Sequence, residues 1–241
     1  MRRVAVALLI GCLGLIGCRS TSVSKSSPEP VARGATPNDD GDHLRLAAEH
    51  LDRADEAGAV PHLRAHLRRQ PDSLMVRAYL GELLLKTGNA EESKLHFEQF
   101  TRDAAGASGP AHAHLVHVHT RLMELAGQSD DAFGEQLHRG IGLVLLVRQW
   151  AESGAETDAA LSERTLVQAV QALKRADTER PGEARVWFYL AEAYSALDQP
   201  SSARSAMRKA GTCQPEWKLN PHEREKLGER WQTEGMAGIT P

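Results

Sequence analysis

Aromatic residues, cysteine and net charge are all scarce in this chain. Phe, Trp and Tyr make up 5% of its 241 residues, there are three cysteines, and the formal charge is −3. So balanced a charge, with no basic run interleaved with aromatics, argues against a nucleic-acid partner. Cys12, Cys18 and Cys213 form no CxxC pair, which removes the common zinc and dithiol motifs. The longest apolar run, Val4 to Gly17, has 14 residues and falls short of the roughly 20 needed to span a bilayer. No nucleophile elbow, phosphate-binding glycine loop or HExxH run is found. The sequence therefore implies no enzyme, no cofactor, no nucleic acid and no small-molecule substrate. What it has in quantity is Ala, Leu, Arg and Glu, the composition of a helical protein.

The amino terminus differs in kind from the rest. Met1-Arg2-Arg3 is a short basic segment, the apolar run follows, and it closes in Leu15-Ile16-Gly17-Cys18. This order fits a signal peptide. The tetrapeptide resembles the lipobox of bacterial lipoproteins. That resemblance implies cleavage before Cys18, acylation of its thiol (palmitate) and of the new amino terminus, and firm membrane attachment through more than one chain. Leu9-Ile10-Gly11-Cys12 spells the same tetrapeptide, but cleavage there leaves about half the apolar run. A plain secretory signal or an uncleaved anchor is the alternative. Arg19 rather than Asp follows the cysteine, which in the enteric lipoproteins leans towards the outer membrane. The location implied is the cell membrane or outer membrane, lipid-anchored, on the periplasmic or extracellular face. With Cys18 lipidated and Cys12 removed, Cys213 has no partner for a disulfide. Residues 19 to 41 are Ser, Thr, Pro, Gly and Asp with almost no large apolar side chain, so they read as a disordered tether.

The clearest pattern lies at 182 to 215. Trp187, Leu190-Ala191 and Tyr194 precede a break at Asp198-Gln199-Pro200, and Ala203, Met207, Ala210 and Pro215 follow. The spacing is W-x2-L-A-x2-Y…A-x3-M…P, two amphipathic helices around a polar turn. It resembles the tetratricopeptide (TPR) repeat, with Ala191 where Gly is usual and Met207 where an aromatic is usual. Pro181 stands one 34-residue period before Pro215.

The period is weaker upstream. From His43, residues Leu44, Ala47, Ala48, Leu51 and Ala54 mark a face, and after Gly58 come Leu63, Ala65, Leu67 and then Pro71. The next unit runs from Asp72 to Thr87 with Tyr79-Leu80-Gly81, turns at Gly88-Asn89, and continues through Ser93, Phe97 and Phe100. Eight residues beyond three full periods separate Pro71 from Pro181. In between, helices are expected over His112–Ala126 and Asp130–Arg139, a break at Gly140 and Gly142, a buried helix over Ile141–Glu152, an enlarged turn over Ser153–Asp158, and a helix over Ser162–Thr178. One continuous helix from Asp130 to Glu152 is the alternative. Asn220-Pro221 is a helix start, and His222–Glu234 reads as a polar cap.

The expected fold is all-α: a TPR-like solenoid of about five antiparallel helix pairs plus a C-terminal capping helix, after a signal peptide and disordered tether. The divisions are a signal peptide at 1–17, lipidated cysteine and linker at 18–41, the solenoid at 42–234 and a tail at 235–241.

The resemblance implies a protein or peptide partner held in a groove lined by the first helix of each pair. By position the groove includes Met75, Ala78, Glu82, Leu85 and Lys86, and, from the last repeat, Arg185, Phe188, Glu192 and Ser195. Ala78 and Glu82 do not match the residues by which some TPR domains clamp a terminal carboxylate. The function expected is a membrane-anchored interaction scaffold or assembly factor of the bacterial cell envelope. The alternative is metal binding through His112, His114, His117 and His119. At 100° per residue His114 and His117 share one face and His112 and His119 nearly the opposite one, so His114 and His117 are the candidate ligands and need others from elsewhere.

Overall fold

The computed structural model describes residues 39–106, 110–154, 158–213 and 219–233. The signal peptide, Cys18, nearly all of the tether, Pro215, Trp217 and the tail from 235 lie outside the described residues. Those residues form ten helices and no strand, the helical-repeat class expected. The helices are α1 (Asp39–Asp52), α2 (Glu56–Arg69), α3 (Leu74–Lys86), α4 (Ala90–Ala104), α5 (Pro110–Gln128), α6 (Ala132–Ser153), α7 (Ala159–Glu179), α8 (Ala184–Ala196), α9 (Pro200–Thr212) and α10 (Pro221–Thr233). No helix among the described residues is long and apolar enough to cross a membrane. The chain divides into two compact units between Val76 and Arg77.

In the first unit α1 and α2 form a hairpin around Ala47, Ala59, Val60 and Leu63, all buried. The turn lies at Arg53–Asp55. Asp55 accepts from the Gly58 amide at 2.9 Å inside the first turn of α2. The His62 ring stands 5.4 Å from that of His50 and 5.8 Å from that of His43.

The second unit begins with the α3–α4 hairpin. Ser93 Oγ donates to the Gly81 carbonyl at 2.7 Å. A Cβ on Gly81 would stand 2.6 Å from Phe97 Cε1, so the missing side chain is what lets the ring lie flush on α3. Leu80, Leu83, Leu84, Phe97 and Phe100 are closed from solvent here.

The middle of the chain corrects the sequence reading in two ways. Residues 132–153 form one helix rather than two. Gly140 does not break it. A Cβ there would come within 2.5 Å of Leu173 Cγ, so the glycine is the notch through which α6 and α7 approach. The eight extra residues are not gathered in the turn after Ser153. They lengthen the helices: α5, α6 and α7 have 19, 22 and 21 residues, against 13 in α8 and in α9. The continuous helix given as the alternative over Asp130–Glu152 is therefore the one found, and the described residues hold ten helices.

The α8–α9 hairpin buries Leu190, Ala191, Ala203, Met207 and Ala210, and the Lys209 ammonium sits 3.9 Å over the Trp187 ring. Helix α10 opens on the expected cap. Asn220 Oδ1 accepts from the Glu223 amide at 2.8 Å, and Glu223 Oε2 accepts from the Asn220 amide at 2.9 Å, a reciprocal capping box.

Candidate functional site

The nine expected groove positions differ in what they offer. Lys86 and Ser195 are exposed, Met75 and Leu85 half-buried, and Ala78 and Phe188 buried. Met75 belongs to the first unit and the other eight to the second. Three of the four charged positions, Glu82, Arg185 and Glu192, are engaged in ion pairs between helices.

Glu82 and Glu192 occupy the same place in their repeats, just after Leu80-Gly81 and Leu190-Ala191. Each meets two side chains of other helices. Glu82 Oε1 lies 2.8 Å from His117 Nε2 and accepts from Arg121 Nε at 2.9 Å, both on α5. Burial pushes the Glu82 carboxyl up, but the hydrogen bonds from His117 and Arg121 outweigh it and leave it below its ordinary value. Glu192, 8% exposed, meets Arg148 of α6 at 2.5 Å and Arg230 of α10 at 2.8 Å. Arg185, also on α8, reaches Glu223 of α10 at 3.4 Å. The last repeat thus turns Glu192 towards α6 and α10 and Arg185 towards α10. Arg121, Arg148, Glu223 and Arg230 were not among the expected positions. The recurrence of Glu after Leu-Gly and Leu-Ala was the signal in the sequence. Its cationic partners depend on how α5, α6 and α10 pack.

The four clustered histidines take different roles. His112 lies 3.5 Å from Glu152 and His117 pairs with Glu82, while His114 is half-buried. His119 is 1% exposed, and its Nδ1 is 3.0 Å from Nδ1 of His138. One of these nitrogens donates and the other accepts, so at least one ring of the pair is neutral. Burial holds both imidazoles below their ordinary range, that of His138 at about 3, with Arg185 adding to the effect. Among the described residues no three His, Cys, Asp or Glu side chains group as a metal-binding set.

Residues 160–218 match the family model described as tetratricopeptide repeat, spanning α7, α8, α9 and the residues after them. No curated protein matches the chain. Two solved structures titled as MamA are similar in shape. One is 12% identical, with 84% of this chain and 98% of that chain covered and a TM-score of 0.37. The other is 13% identical, with 76% and 97% covered and a TM-score of 0.35.

Proposed function

We propose that this protein is a lipid-anchored scaffold of the bacterial cell envelope, tethered by Cys18 and holding a protein or peptide partner on its helical repeats. The tetratricopeptide match over 160–218 carries the reading, since such repeats stack helices into extended binding surfaces. The ion pairs at Glu82 and Glu192 support it further. They fix the relative placement of successive helices, and a preformed surface binds at lower entropic cost. The basic start, apolar run and Leu15-Ile16-Gly17-Cys18 support the anchor.

Two measurements test the two halves. A photo-crosslinking residue at Lys86 or Ser195 in intact cells should give a discrete adduct, and one at Arg208 on α9 should not. Adducts from neither groove position, or the same adducts from all three, sink the scaffold reading. Cys18→Ser should leave the membrane fraction and lose palmitate labelling. A variant that keeps both sinks the anchor.

A further inference from the structure

A cavity of about 500 Å³ opens in the second unit among α4, α5, α6, the α7–α8 turn and the start of α10. Leu122, Phe133 and Leu137 give it apolar lining. Several of its charges are already matched. Asp131 caps the Gly134 amide at 2.9 Å and lies 4.0 Å from Lys94. The Arg180 guanidinium lies 3.9 Å over the Phe133 ring.

Two lining residues keep donors unused. Arg185 bonds through its side chain only by Nε, to Glu223 at 3.4 Å, so among the described residues both Nη atoms are without a hydrogen bond. Asn220 is 5% exposed. Its Oδ1 is fixed by the Glu223 amide, which determines the orientation of the side chain, and its buried Nδ2 has no partner. An unpaired buried donor costs about 1–3 kcal/mol. That donor lies beside the cavity.

We propose that this cavity binds a carboxylate carried next to an apolar group. The Arg185 guanidinium and the Asn220 amide donate to the carboxylate, and Leu122, Phe133 and Leu137 receive the apolar part. A planar guanidinium fork matches a carboxylate. This chemistry is offered both by the carboxyl terminus of a peptide and by a small organic acid. The peptide source rests on the scaffold reading; the site itself does not.

Calorimetry on the full chain tests the site, with N-acetyl-leucine, N-acetyl-leucinamide and an acetylated tripeptide ending in leucine as probes. The acids should bind at least tenfold tighter than the amide. A tripeptide acid tighter than N-acetyl-leucine assigns the site to a peptide terminus, and equal affinities assign it to a small acid. Asn220→Ser keeps a capping oxygen and removes the amide donor, so acid binding should fall at least tenfold while the thermal midpoint changes little. Equal binding of acid and amide, no binding by any acid at 10 mM, or full acid affinity in Asn220→Ser overturns the proposal. None of these results bears on crosslinking from Lys86 and Ser195, so the two readings fail separately.

Discussion

At Ala54 the backbone takes a φ of 59°, in the left-handed region where a Cβ costs roughly 1–2 kcal/mol. The same left-handed turn recurs at Gly88, Asp130 and Asp198. In each case the following amide closes back five residues, as in Asn89 to the Leu84 carbonyl and Gln199 to the Tyr194 carbonyl, the Schellman arrangement. Only Gly88 uses the residue best suited to it. Ala54 is exposed and loses no packing on truncation, so Ala54→Gly should raise stability by about 0.5–1 kcal/mol in urea denaturation, after the greater chain entropy of glycine is set against the relieved strain. A loss of stability counts against this account of the turn. The His119–His138 pair makes a second prediction at this scale. Both folded pKa values lie below the ordinary 6.5, so the unfolded chain binds more protons below that pH. Stability contributed by the pair is full above pH 6.5 and falls as pH drops towards about 3. Each histidine adds a slope of up to about 1.4 kcal/mol per pH unit. His138→Gln should therefore flatten the decline in stability between pH 6.5 and 5. An unchanged slope removes the pair as its source.

Among the elements, the α3–α4 and α8–α9 hairpins solve one packing problem in two ways. Gly81 faces Phe97, and the equivalent positions in the last repeat hold Ala191 and Met207, both buried. The sequence shows these as two separate departures from the repeat pattern. The Gly81–Phe97 contact explains them together, since a methyl group on the first helix requires a slimmer, more adaptable side chain on the second. Gly81→Ala should cost about 1–3 kcal/mol, and adding Phe97→Met should recover most of it. Full additivity of the two losses in a double-mutant cycle breaks the link. The hairpins themselves were legible because their apolar period and turn residues are local. Continuous α6 was legible only as the alternative, because glycine propensity alone marks Gly140 as a break, while its purpose is Leu173 on another helix. The candidate site was legible to the same degree. Glu82 and Glu192 stand at positions that the repeat register identifies. Arg121, Arg148 and Arg230 reach them only because α5, α6 and α10 return to those carboxylates, and no local pattern encodes that return.

For the second unit as a whole, α10 decides how much of the last repeat a partner meets. Leu227, its one aliphatic side chain, is only half-buried. Charge ties it to α8. Glu223 is 1% exposed, closes the capping box and reaches Arg185, and Arg230 reaches Glu192. The two contacts should differ in weight. Arg230 is one-third exposed and Glu192 retains Arg148, so Arg230→Met should cost less than about 1 kcal/mol. Glu223→Gln leaves the largely buried Arg185 charge without that counter-ion and weakens the cap, for a loss of about 3 kcal/mol. Urea denaturation of the full chain separates the two. Limited proteolysis then reads the consequence: the Glu223→Gln chain should be cut within α10 while 39–212 stays intact, and crosslinking from Ser195 should increase as α8 is uncovered. Equal losses from both substitutions leave no special weight on Glu223. Cutting spread evenly through α8 and α9 makes α10 part of the repeat's core rather than a separable cover.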